Sequence, residues 1–156
     1  KFTHLDQDNN PSMVNVTTKK VTQRSATAET IVVLTEEIMN GLSAGELTSK
    51  KGPVFQTAII AGTMAAKKTG DLIPLCHPIG LESCEFDIKV NDLEVHIRCT
   101  AKLEAKTGVE MEALTGASIA ALTIYDMCKA LSHHIIIKET RLISKTGGKK
   151  DFFINE

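Results

Sequence analysis

Residues 84–132 read CEFDIKVNDLEVHIRCTAKLEAKTGVEMEALTGASIAALTIYDMCKALS. The stretch opens with two alternating runs, Cys84 to Val90 and Leu93 to Ala101, joined at Asn91-Asp92. Alternation over this length marks strands, and Asn-Asp between them is a hairpin signal. A change of period follows. From Met111 to Ser132 the residues Leu114, Ala117, Ala121, Ile124, Cys128 and Leu131 recur every three or four positions, which is one face of a helix. Ile119, Leu122 and Met127 make the other faces apolar as well, so the helix is expected to be covered on more than one side.

Working outward, the segment Leu72 to Pro78 is bracketed by prolines and predicts a rigid, extended wall. Before it, Gly52-Pro53 predicts the start of a helix from Val54 to Lys68, with Pro53 at its first position. Phe55, Ala58, Gly62 and Ala65 share one face of that helix, and their small size allows close approach to a neighbour. Gly70 is the expected left-handed cap. Thr35 is the expected N-cap of a short helix through Asn40, stopped by Gly41. Ala26 to Leu34 and Met13 to Val16 read as strands, and Ile135 to Ser144 as the closing strand, ending in a Gly147-Gly148 turn. Helices on one face of a mostly antiparallel sheet make an α+β sandwich.

The length of 156 residues predicts a single domain over residues 1–156, with one core. An apolar share of 42% and a charged share of 24% give no support to disorder or a membrane span. Cys76, Cys84, Cys99 and Cys128 form no C-x-x-C pair, so reduced thiols are expected. Lys1 to Ser12 is polar and lacks the apolar core of a signal peptide, and the expected location is the cytoplasm. A net charge of -1 offers no broad field for duplex nucleic acid. Basic residues nevertheless cluster locally: Lys19, Lys20 and Arg24; Lys50 and Lys51; Lys67 and Lys68; Lys145, Lys149 and Lys150. Brought together they would form an anion pocket; left apart they are a solvated face.

Asp126 and Lys129 stand three apart on the long helix, so their side chains can meet. They read either as a surface ion pair or, if the face with Ile119 and Leu122 is buried, as a proton-transfer pair. His77, between Pro74 and Pro78, is either structural or a general acid, base or phosphate donor. Lys51 precedes a helix start, where free amides favour an anion, although an ordinary exposed lysine would look the same. Glu110 and Glu112 suit the positive end of the long helix. Gly147-Gly148-Lys149-Lys150 lacks the Ser or Thr of a phosphate loop, and Lys-Thr-Gly, present at Lys68, Lys106 and Lys145, reads first as a turn.

Five blocks carry a resemblance: Lys51-Gly52, Ala61-Gly62, Asp71 to Pro78, Lys106 to Leu114 and Leu122 to Ala130. With them the chain resembles, over essentially its whole length, the cyclic pyranopterin monophosphate synthase family, the molybdenum cofactor biosynthesis protein C family. The resemblance implies a ferredoxin-like subunit in a homohexamer, a trimer of dimers with sites at subunit interfaces. It implies conversion of 3′,8-cyclo-7,8-dihydroguanosine 5′-triphosphate, supplied by a radical S-adenosylmethionine enzyme, to cyclic pyranopterin monophosphate and diphosphate. It implies Asp126 as catalytic acid/base with Lys129 and Lys51 as partners, and no metal or organic cofactor. Leu75, Cys76, His77, Met111 and Glu112 match substrate-binding positions, and Lys19, Arg24, Lys67 and Lys145 match further basic pocket residues. The chain departs from the family at Asn15, where Asp is usual, and in a shortened loop at Lys149-Lys150-Asp151. The rival expectation is a non-catalytic nucleotide- or RNA-binding module on the same scaffold. One Tyr and no Trp speak against it, because such modules stack bases on aromatic side chains.

Overall fold

The computed structural model describes residues 4–154. Its axis is β1 (Thr22–Val33), which pairs antiparallel along its full length with β6 (Glu94–Ala105), Thr22 opposite Ala105 and Val33 opposite Glu94. On its other edge β1 pairs antiparallel with β7 (Ile136–Thr146), with irregularities at Thr27/Ala28 and Ile31/Val32. β5 (Ser83–Asn91) closes a tight hairpin onto β6, with Asp92 at φ +55 in the turn. β8 (Phe152–Phe153) adds a short edge to β7, so the sheet runs β5-β6-β1-β7-β8. Helix α2 (Val54–Lys67) lies between β1 and β5, and α4 (Glu110–Cys128) between β6 and β7. The four long strands and these two helices follow the ferredoxin-like order, and the expected α+β sandwich is what forms.

Period-two burial explains why both helices take the same face. Ala26, Ala28, Val32, Val95, Ile97, Cys99 and Ala101 point inward and pack with Ala113, Ala117, Ala121 and Ile124 of α4. Complete burial of each Val or Ile contributes about 1.5–3 kcal/mol. The alternate residues, among them Glu29, His96 and Arg98, turn to the other face and pair with one another. The two helices approach closely because a glycine stands on each: a Cβ on Gly62 would come within 2.7 Å of the Gly116 carbonyl oxygen and 2.5 Å of the Phe86 ring.

A smaller sheet precedes α2. β2 (Leu42–Ser43), β3 (Glu46–Ser49) and β4 (Gly52–Pro53) are joined by two-residue turns at Ala44-Gly45 and Lys50-Lys51. Ala44 at φ +50 and Gly45 at φ +79 make the first turn left-handed. α1 (Glu36–Met39) is capped by Thr35, whose Oγ1 accepts from the Ile38 amide, as expected.

Several local expectations fail. Met13 to Val16 joins no ladder; the segment is held by side chains, with His77 bonded to the Val14 carbonyl and Lys106 to that of Thr17. Pro53 is the N-cap of α2, at φ -68 and ψ 121, one position before the helix proper. Gly70 caps nothing, because the chain continues into α3 (Thr69–Leu72). Leu72 to Pro78 is consequently helix end and turn, closed by the Cys76 amide on the Ile73 carbonyl. The long helix ends at Cys128, and Leu131 is 44% exposed. Among the described residues no helix is long and apolar enough to cross a membrane.

Candidate functional site

α4 carries a group of candidate residues at each end. At its C-terminal end the Asp126 carboxylate sits between two ammonium groups. Lys129 Nζ lies 2.7 Å from Oδ1, and Lys51 Nζ lies 2.8 Å from Oδ2 and donates also to the Asp126 backbone oxygen at 3.1 Å. Helical spacing gives Lys129, whereas Lys51 comes 75 residues earlier in the chain, from the turn between β3 and β4. The hydrogen bond from Lys129, then that from Lys51, pull the Asp126 pKa down to about 2, and Asp126 holds the Lys129 ammonium above its ordinary value.

Burial of this pair, which the sequence suggested, is not what the structure has. Asp126 and Lys129 side chains are 54% and 49% exposed, and Leu122 on the same face is 52% exposed. An apolar residue on a helix face need not be covered within one chain. Nor does Lys51 hold an anion at the start of α2. Its ammonium turns to Asp126, and the free amides of Phe55 and Gln56 are taken by the Glu46 carboxylate at 2.8 and 3.1 Å.

The N-terminal end of α4 opens on two adjoining cavities. The larger, about 800 Å³, is lined by Lys19, Lys20, Arg24, Lys106, Lys145, Lys149 and Lys150. Lys145 Nζ donates to Glu110 Oε1 at 2.7 Å. Burial alone would raise the Glu110 pKa, but the Lys145 bond and the helix amide outweigh it and the pKa falls. Two of the three Lys-Thr-Gly copies, at Lys106 and Lys145, line this cleft. The sequence reads these tripeptides first as turns, with Lys145 also among the basic pocket candidates. Their convergence depends on β1 separating β6 from β7, and no local pattern reports that.

The second cavity, about 410 Å³, is lined by Leu75, Cys76, His77, Met111 and Glu112, together with Lys19. His77 Nε2 lies 2.7 Å from the Val14 carbonyl, and that contact fixes the ring. Desolvation raises the Cys76 thiol pKa, helped by the nearby Glu112 charge. Glu112 departs from the dipole-stabilised carboxylate the sequence suggested. It is 3% exposed, and burial, aided by Glu110, lifts its pKa to about 7 against the pull of its own amide.

Glu112 also borders a small cavity of about 50 Å³, which Lys67, Thr69 and Asp71 line with it. Lys67 is thus separated from the other basic candidates. Fourteen residues, about 21 Å of helix, separate Glu112 from Asp126, so one chain does not bring its two groups together. Among the described residues no group of three or more His, Cys, Asp or Glu is placed to hold a metal ion.

Comparison with known proteins bears on this geometry. The chain is 53% identical over 152 residues to a cyclic pyranopterin monophosphate synthase of Xanthomonas oryzae, covering 97% of this chain and 92% of that protein. It is 54% identical over 155 residues to a molybdenum cofactor biosynthesis bifunctional protein of Synechocystis, covering 96% of this chain but 45% of that protein's length. It is 48% identical over 167 residues to molybdenum cofactor biosynthesis protein 1 of Dictyostelium discoideum, covering 96% of this chain and 26% of that protein. The model of the MoaC family matches residues 13–148, a span that contains Lys51, Asp126 and Lys129 at one end of α4 and Lys19, Arg24, His77, Glu112 and Lys145 at the other, and the chain therefore belongs to the MoaC family.

Proposed function

We propose that this chain performs the reaction for which its Xanthomonas relatives are named, with the two ends of α4 as the two halves of its site. It is a lyase of molybdenum cofactor biosynthesis that forms cyclic pyranopterin monophosphate. The substrate is 3′,8-cyclo-7,8-dihydroguanosine 5′-triphosphate, and diphosphate leaves. The observation that carries the reading is the convergence of Lys51 with Lys129 on Asp126, from an element 75 residues away.

Opening a reduced purine and reclosing it as a pterin needs several proton transfers, and expelling diphosphate needs cations on the leaving group. Asp126, Lys129 and Lys51 supply the first. At rest Asp126 is a carboxylate with a pKa of about 2, too weak a base to compete for substrate protons. An arriving triphosphate draws the two ammonium groups towards itself. Asp126 is then released and its pKa returns upward towards that of an ordinary carboxylate, so its basicity increases when the substrate that needs it arrives.

The cationic cleft of Lys19, Arg24 and Lys145 holds phosphates, and Leu75, Cys76, His77, Met111 and Glu112 form the wall that holds the ring system. Because about 21 Å of helix separates Glu112 from Asp126, a neighbouring copy completes the site. The uncovered Ile60, Met64 and Leu122, each more than half exposed on the helices, support assembly. The proposed assembly is a homohexamer, a trimer of dimers, acting in the cytoplasm on substrate supplied by a radical S-adenosylmethionine enzyme.

Incubation of the purified protein with the cyclised nucleotide, followed by detection of the pterin product and diphosphate, tests the reading. Product formation by an oligomer, inhibited by GTP, is expected. Tight, salt-sensitive RNA binding with no product would instead favour the nucleic-acid module.

A further inference from the structure

We propose that Glu46 is a positioning residue for Lys51, anchoring β3 to the first turn of α2 and so holding the turn that delivers the Lys51 ammonium to Asp126. The inference rests on the reading of Lys51 and Asp126 as reacting groups.

α2 starts without a side-chain cap of its own, since Pro53 occupies the N-cap position and has none to offer. Glu46 fills that gap from another element. Its Oε1 accepts from the Phe55 amide at 2.8 Å and from the Leu47 amide at 2.7 Å, and its Oε2 accepts from the Gln56 amide at 3.1 Å. A carboxylate is the best acceptor at the positive end of a helix, because charge and dipole add to the hydrogen bonds. Both oxygens are engaged, so the link resists rotation as well as stretching.

The link closes the short segment 47–54, and Lys51 lies within it. On one side the segment is held by the ladder pairs Thr48 with Pro53 and Ser49 with Gly52, and inside it the Lys51 amide donates to Ser49 Oγ at 3.1 Å. On the other side Leu47 and Val54 are buried in the main core. Glu46 hydrogen-bonds the start of this hairpin directly to the helix that follows it. Lysine side chains are costly to order. A mobile turn would leave Lys51 to sample solvent, whereas a fixed turn lets it reach Asp126 Oδ2 at 2.8 Å.

The test uses the assembled protein and the neighbouring Lys50 as an internal standard. Both lysines are acylated with a small amine-reactive ester, and mass spectrometry of the shared peptide gives their relative rates. In the unaltered protein Lys51 is expected to react several-fold more slowly than Lys50, because its ammonium is engaged by Asp126. Glu46→Ala and Glu46→Gln should bring the two rates together and lower kcat. The Gln variant keeps the size of the side chain, so it carries the test where Ala compromises folding. Val54→Ala, which loosens the start of α2 but leaves Glu46 in place, should keep the rates apart. An unchanged ratio in the folded Glu46 variants, or an equal change in Val54→Ala, overturns the proposal. A changed ratio with unchanged turnover upholds the positioning of Lys51 and overturns instead its part in the reaction.

Discussion

At its N-terminal end α4 buries the Glu112 carboxyl, and its pKa climbs to about 7; at its C-terminal end Asp126 stands in solvent between two lysines and falls to about 2. Both are carboxylates on one helix. The helix dipole favours the charged form at the first position and disfavours it at the second, the opposite of what is found. Burial and close partners therefore outweigh the dipole at both ends. The comparison also assigns chemistry: near neutrality Glu112 can give or take a proton as it stands, while Asp126 must first lose a lysine.

The largest expected effect is at the exposed end. Asp126→Asn keeps the shape and removes the charge, and turnover should fall by at least ~10²-fold in a protein that still assembles and binds the nucleotide. Lys129→Ala should also inactivate, and the double variant should be little worse than either single one, because groups acting as a unit lose their effects non-additively. Near-normal product formation by Asp126→Asn would reduce the trio to an ion pair.

At the buried end the signature is in stability. The folded pKa of Glu112 is above the ordinary glutamate value of 4.5, so the folded state holds a proton that the unfolded state has lost between pH 4.5 and about 7. Stability contributed by this group falls as pH rises through that window and stays low above it. Glu112→Gln should remove this slope and leave the variant more stable than wild type at pH 8.5, by an upper value of about 3 kcal/mol. Denaturant unfolding at pH 5 and pH 8.5 measures it. Equal slopes in the two proteins would mean that Glu112 is ionised in the fold.

Lys145→Ala sharpens the comparison from the cleft. Removal of one charge-assisted contact, about 1.5 kcal/mol, should raise KM for the nucleotide about tenfold with kcat little changed. A selective loss of kcat would move Lys145 into the reaction itself. The smallest effect is expected at Lys89, whose exposed pairing with Asp87 at 3.1 Å is remote from both ends. Lys89→Ala should change stability by less than about 0.5 kcal/mol, read as a near-constant denaturation midpoint.

Much of the site was legible in the sequence, but unevenly. Asp126 with Lys129 follows from helical spacing, and Thr35 as a cap follows from its place before Glu36 and Glu37. The basic clusters were visible as composition. The resemblance grouped Lys145 with Arg24 and Lys19, but the lining of a different cavity by Lys67 within one chain was not legible. Burial was misjudged at both carboxylates, since periodicity tells which residues share a face and not whether that face is covered.

By itself the sequence determined the elements that repeat regularly: the hairpin of β5 and β6, the two long helices, and the small-residue face with Gly62 that lets one helix approach a neighbour. These depend on local period and side-chain size, which any window of the chain displays. Only the tertiary structure decided that Lys51 meets Asp126, that Glu46 at the start of β3 caps a helix beginning eight residues later, and that Glu112 is buried while Asp126 is not. Each of these is a contact or a burial set by strand order and helix packing. Charge placed in space, which governs both pKa values, depends on such long-range geometry and leaves no period in the chain.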